Sequence, residues 1–188
     1  MAAQLQTDML DHAGVRSAIA APAEAQAQLL DRMRSALTDG RAELRTYFES
    51  GGNAEVVHVE LARLIDSLVQ GALDYADRRL YGTTNPTTGE RLALVAVGGY
   101  GRAELAPQSD IDVLFLCSYK RTPHSEQMAE FLLYKLWDLG LKVGQSTRSV
   151  QDCVKLAKTD LTIQTALLEG RLVWGSKELF ADLQRSFN

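Results

Sequence analysis

Two apolar runs, Leu92 to Val97 and Ile111 to Cys117, constrain this chain more than any other feature. The first is apolar at every position and carries β-branched Val95 and Val97, which suits a strand covered on both faces. Between the runs lies Gly98-Gly99-Tyr100-Gly101-Arg102-Ala103-Glu104-Leu105-Ala106-Pro107-Gln108-Ser109-Asp110. Glycines therefore close one strand, and Asp110 and Asp112 open the next. Side chains alternate faces along a strand, so the two aspartates share a side while Ile111 points into the core.

Two neighbouring carboxylates repel each other unless something compensates them. A divalent cation does so. Mg²⁺ takes oxygen ligands and is commonly held by one or two carboxylates plus substrate phosphates, and two-metal phosphate sites clamp both attacking and leaving oxygens. Gly98, Gly99 and Gly101 let backbone approach a bulky anion closely. Arg102 supplies a charge that can pair with phosphate. Glu104 either orients Arg102 or caps a short helix, and Ser109 either donates to phosphate or fixes the turn that aims Asp110. Taken singly, a Gly-Gly-x-Gly is more often a tight turn and an Asp-x-Asp more often a solvated strand end. In this order, on a strand–turn–strand frame, they point to nucleotide binding. The Gly-Lys-Ser/Thr ending of a P-loop is missing, and no long helix follows the glycines as a dinucleotide fingerprint requires.

The flanking segments read as helices. Pro22 suits a first helical turn, and good helix formers run from it to Phe48, with Gly40 breaking or weakening the stretch. Residues 1–21, rich in Ala and Gln, read as a disordered lead. Asn53 is a fair N-cap for a helix whose Val57, Leu61, Leu64, Ile65, Leu68, Ala72 and Tyr75 form one apolar stripe. Arg63, Asp66, Gln70, Asp74 and Arg78 take its other face. These helices either pack on a neighbouring core or present a partner surface. Residues 82–89 form a loop.

After the second strand, Ser118 to His124 is a turn and Ser125 caps a helix from Glu126 to about Leu139, stopped by Gly140. Leu141 to Thr147 is a third strand. Ser149 and Asp152 stand near capping-box spacing, Leu161 to Leu168 is helical, and an amphipathic segment follows Gly175-Ser176. The division is a helical segment over 22–82 and a core with C-terminal helices over 83–188. The fold class is α/β (α+β), a small sheet flanked by helices.

A chain of 188 residues can bury a real core. Its net charge of −4 lacks the basic excess of nonspecific nucleic-acid binders. No apolar run reaches the roughly 18–20 residues of a membrane span, and no secretion signal is visible, so a cytoplasmic protein is expected. Cys117 and Cys153, far apart, read as buried thiols rather than a disulfide framework. His12, His58 and His124 are scattered and read as surface or packing residues.

The stretch Gly-Gly-Tyr-Gly-Arg-Ala-Glu-Leu-x-Pro-x-Ser-Asp-Ile-Asp resembles the signature of the DNA-polymerase-β-like nucleotidyltransferases. More narrowly, the chain is similar to the N-terminal domain of the PII-protein uridylyltransferase family. Arg45-Thr46-Tyr47-Phe48-Glu49, Leu136 through Gly144, and Leu167-Leu168-Glu169-Gly170-Arg171-Leu172 agree with it, and the likeness runs from about Ala42 to Phe180. It implies a mixed sheet and transfer of UMP from UTP to a tyrosine of the PII nitrogen-regulatory protein, with release of pyrophosphate. Gly98 and Gly99 would contact the triphosphate, and Asp110 and Asp112 would bind Mg²⁺. Two departures stand out. A third carboxylate usually comes from a later strand, yet Leu141 to Thr147 has none; Asp160 is the nearest substitute, with a helix cap as its alternative reading. The family's His-Asp phosphohydrolase and two regulatory domains do not fit in this chain, which reads as a fragment of a longer enzyme. The alternatives are a nucleotide-sensing module without turnover and a protein adenylyltransferase; Val57–Tyr75 and the Pro86 loop are candidate docking surfaces.

Overall fold

The computed structural model describes residues 24–82, 88–119 and 121–187. The predicted lead over 1–21 and the Pro86 loop lie outside the described residues.

Two long helices come first, α1 (Glu24–Glu49) and α2 (Ala54–Tyr75), the latter prolonged by a π-helical turn, Ala76–Leu80. α1 passes through Gly40 unbroken, because that glycine is buried against its surroundings rather than exposed to water. Asn53 caps α2, its side chain accepting from the Glu55 amide at 2.8 Å. Strand β1 (Leu92–Ala96) follows, then a single helical turn α3 (Gly98–Gly101), strand β2 (Ile111–Cys117), helix α4 (Pro123–Asp138) and strand β3 (Val143–Ser149). Helices α5 (Val150–Ala157) and α6 (Leu161–Leu168), strand β4 (Arg171–Gly175) and helix α7 (Lys177–Arg185) complete the chain.

The sheet is mixed, with strand order β3-β2-β1-β4. β1 pairs antiparallel with β2 and β4, and β2 pairs parallel with β3. The parallel pair needs a crossover, which α4 supplies. Both faces of β1 and β2 are covered, as an unbroken apolar run requires. On one face Leu94, Ala96, Ile111, Val113 and Phe115 join Met33, Leu61, Leu68 and Leu132, from α1, α2 and α4, in one core. On the other, Val95, Leu114 and Leu116 meet Cys153, Leu167, Leu179 and Leu183, from α5, α6 and α7. Cys117 and Cys153 are buried free thiols, and burial pushes Cys153 up to about 11.

Four local expectations change. Helix α4 starts at Pro123 and is capped by Thr122, while Ser125 stands at its third position as the other half of a capping box; proline fits a first turn because its missing N–H would be unpaired there anyway. β3 is shifted two residues later, to Val143–Ser149, since its limits follow the ladder to β2 rather than its own composition. β4 has no sequence forecast at all; five residues at a sheet edge carry too short a pattern to read, and pairing with β1 makes the strand. The polar face of α2 is only partly a solvent face: Arg63 and Arg78 are exposed, but Asp66, Gln70 and Asp74 are not. Gln70 donates to the Val173 carbonyl at 2.8 Å, and Trp174 Nε1 donates to Asp74 at 2.7 Å, so this part of the face docks on β4. With its apolar stripe and Glu60 also buried, α2 is largely an internal element, although Ala54, Val57, His58 and Leu61 at its start line a groove with Arg45 and Phe48.

Candidate active site

The end of β1 sets the site. Val97 is extended, and Gly98 turns the chain with φ of +61°, a conformation that side-chain-bearing residues rarely adopt. The turn closes on itself. Gly101 N–H donates to the Val97 carbonyl at 3.0 Å and Glu104 N–H to the Gly99 carbonyl at 2.9 Å. Tyr100 drops from it into the core, and its hydroxyl donates to Asp66 Oδ1 at 2.7 Å. Burial first, then the Asp66 carboxylate, pushes that hydroxyl well above the usual phenol range.

Asp112 arrives on β2, with Asp110 one residue before the strand, beside this turn. Ile111 and Val113 lie in the core with α1, α2 and α4, so Asp110 and Asp112 take the opposite side of the sheet. Asp110 is exposed and Asp112 half-buried. The Asp112 carboxylate sits between two glycines. A Cβ built on Gly98 would come 3.4 Å from Oδ2, and one built on Gly144 would collide with Oδ1. Gly144 is the register partner of Asp112 on β3. Among the described residues neither aspartate has a hydrogen bond or an ion pair. Burial, and secondarily the negative charge of Asp110, raises the Asp112 pKa above its ordinary value. Two unpaired oxygen donors on one side of a strand, one resisting its own charge, suit a hard divalent cation.

The remaining residues singled out from sequence have partners of their own. Arg102 donates through Nε to Glu104 at 3.0 Å and through Nη1 to Glu169 at 2.6 Å. Glu104 therefore orients Arg102 and caps nothing. Ser109 Oγ donates to the Ala106 carbonyl at 2.8 Å and fixes the turn before Asp110. Asp160 is the N-cap of α6, accepting from the Thr162 and Ile163 amides at 2.8 and 3.2 Å. It is not gathered with Asp110 and Asp112: among the described residues no three His, Cys, Asp or Glu side chains converge to hold a metal.

Sequence reasoning passed over Gly144, Asp66, Glu169 and Arg171. Arg171 grips Asp66 with both terminal nitrogens, at 2.6 and 3.1 Å, and donates to the Tyr100 carbonyl at 3.1 Å. Glu169 and Arg171 fall in a stretch that carries the family likeness, which marks them without giving them a task. Gly144 closes another such stretch, and a glycine inside a strand is itself a sign of close approach by a neighbour.

The fold and the paired carboxylates beside a glycine turn define a nucleotidyltransferase-like α/β domain. Residues 4–133 match the family model described as glutamate-ammonia ligase adenylyltransferase, and the chain belongs to that family. Curated relatives agree on the class and differ in the group named. The chain is 52% identical over 160 residues to a bifunctional uridylyltransferase/uridylyl-removing enzyme of Azospirillum brasilense, covering 85% of this chain and 17% of the relative. It is 47% identical over 165 residues to the enzyme of the same name from Rhodospirillum rubrum, covering 87% and 18%. The chain thus spans less than a fifth of the length of these relatives. No described helix is long and apolar enough to cross a membrane.

Proposed function

We propose that this chain is the uridylyl-transferring domain of such an enzyme: it binds UTP with Mg²⁺ and transfers UMP to a tyrosine of the PII nitrogen-regulatory protein in the cytoplasm. The observation that carries the reading is the apposition of Gly98 and Asp112, which puts a turn open to phosphate directly beside the unpaired carboxylates. The phenolic oxygen of the acceptor forms a bond to the α-phosphorus of UTP. The bond from that phosphorus to the α–β bridging oxygen breaks, pyrophosphate leaves with its electron pair, and the phenolic proton passes to solvent. Asp110 and Asp112 would hold Mg²⁺, which when bound supplies neutralisation of the triphosphate charge. Gly98 and Gly99 admit the phosphates close to backbone, whereas Gly101 is spent on the packing of the turn against the Glu169 and Ala96 carbonyls; Ser109 keeps Asp110 aimed, and Arg102 adds positive charge at the turn. No protein nucleophile is required. The uridylyl-removing activity in the relatives' name is not proposed for this chain.

The family description names adenylyl transfer, whereas identity near half over most of the chain favours uridylyl transfer. Incubating the chain with Mg²⁺, PII and labelled UTP or ATP separates them. Label from UTP on PII is the expected result, absent with Asp110→Asn and Asp112→Asn. Label from ATP alone would reassign the base, and UTP binding that both substitutions leave unchanged, without transfer, would overturn the catalytic reading in favour of a sensing module.

A further inference from the structure

The connection between α6 and β4, residues 168–171, lies against the back of the glycine turn with no space between them. A Cβ built on Gly101 would come 2.7 Å from the Glu169 carbonyl oxygen and 2.9 Å from that of Ala96. A Cβ on Gly170 would meet the Leu167 carbonyl at 2.9 Å and Val95 Cγ1 at 3.1 Å. Gly101 thus brings the backbone of the turn against that of the corner, and Gly170 seats the corner on β1, which leaves the corner and the turn little freedom to move separately.

Both charged side chains of the corner reach the turn, one on each flank. Glu169 takes Arg102 Nη1, and Glu104 takes Nε from the other side. These two bonds use two of the guanidinium's three nitrogens and fix its plane. The third, Nη2, makes no hydrogen bond among the described residues and lies beside Gly99, 3.9 Å from where a Cβ would stand, with the Glu104 carbonyl oxygen at 3.2 Å from the same point. On the buried flank Arg171 forks onto Asp66, donates to the Tyr100 carbonyl, and lies 5.4 Å from the Tyr100 ring centroid. Asp66 in turn holds the Tyr100 hydroxyl. The turn is therefore pinned through its carbonyl, its ring and its guanidinium by residues of one remote corner and one helix.

We propose that the α6–β4 corner is the second half of the nucleotide-binding turn, with Glu169 and Arg171 as its positioning residues: Glu169 aims the free nitrogen of Arg102 at a phosphate of the nucleotide, and Arg171 holds the backbone of Tyr100 still. The proposal rests on the nucleotide-binding reading of the turn. It places Glu169 as an aid to an anion it would otherwise repel. The opposite role, a carboxylate that withholds Arg102 from phosphate, predicts the opposite sign of effect.

The test measures equilibrium affinity for UTP in the presence of Mg²⁺, by calorimetry on the chain, for Glu169→Ala, Glu169→Gln and Arg171→Lys. Loss of a charge-assisted hydrogen bond sets the scale, so Glu169→Ala should weaken UTP binding about five- to tenfold. Glu169→Gln, which keeps an oxygen acceptor, should recover part of the loss. Arg171→Lys keeps the charge and loses the fork, and should weaken binding while speeding amide hydrogen exchange in residues 99–102 relative to β2. A residue with a merely structural role would lower Tm without changing affinity in the folded protein. Unchanged or tighter binding in Glu169→Ala overturns the proposal. Should the unaltered chain bind neither UTP nor ATP, the nucleotide reading fails by itself. Exchange in 99–102 then still reports whether the corner holds the turn, and unaltered exchange in Glu169→Ala and Arg171→Lys sinks that as well.

Discussion

The two limbs of the central stretch treat charge in opposite ways. In the first, residues 98–105, every polar side chain is engaged: Tyr100 with Asp66, Arg102 with Glu104 and Glu169. In the second, the carboxylates of Asp110 and Asp112 have no partner among the described residues, although Asp112 is half-buried and its charged form disfavoured. A fold that gives every polar side chain of one limb a partner, with only Arg102 Nη2 left over, and gives the acids of the next none is separating scaffold from chemistry. Rigidity is supplied by contacts made once on folding, and the unfavourable charge is kept for a ligand that arrives later.

That contrast breaks most visibly at the acids. Asp110→Asn or Asp112→Asn should lower UMP transfer by about 10²–10³-fold, the scale of losing one electrostatic stabiliser at a transition state. The same substitutions should leave Tm measured without Mg²⁺ unchanged or raised, because each removes one of two repelling carboxylates. A fall in Tm would show that the second limb is scaffold too. The scaffold limb should behave in reverse. Tyr100→Phe deletes a hydrogen bond to a carboxylate from a buried hydroxyl, and urea unfolding should show a loss of about 1.5–3 kcal/mol.

Gly144 joins the two limbs through Asp112. Gly144→Ala puts a methyl where Oδ1 lies. The carboxylate must turn away or β3 must shift, so destabilisation of about 1–3 kcal/mol is expected, together with weaker Mg²⁺ binding by calorimetry. Asp160 sharpens the comparison from outside. As a cap, Asp160→Ala should cost about 1 kcal/mol while Asp160→Asn stays near neutral, and neither should alter Mg²⁺ affinity; a loss of affinity in the asparagine variant would restore Asp160 as a metal ligand.

The smallest effect is in pH. The unfolded chain releases the Asp112 proton near 3.8, and the folded protein holds it to higher pH. Between those values the folded state binds more protons, so stability falls as pH rises through that window. The fall should be absent in urea titrations of Asp112→Asn. Mg²⁺ affinity runs the other way, weakening as pH drops through the same range, because proton and cation compete for one carboxylate.

What the sequence determined by itself was short-range. The apolar run of β1, the period-two parity that puts Asp110 and Asp112 on one side, and the caps at Asn53 and Ser149 each depend on residues within one turn or two strand positions. Only the tertiary structure decided that Arg171 answers Asp66 from 105 positions away and that Glu169 answers Arg102 from 67. It alone made β4 a strand and seated Gly144 under Asp112. Periodicity and capping are local and leave a trace in neighbouring residue types. A carboxylate on the polar face of a helix looks the same whether water or a distant arginine faces it, and the order of strands in the sheet is what chooses between them.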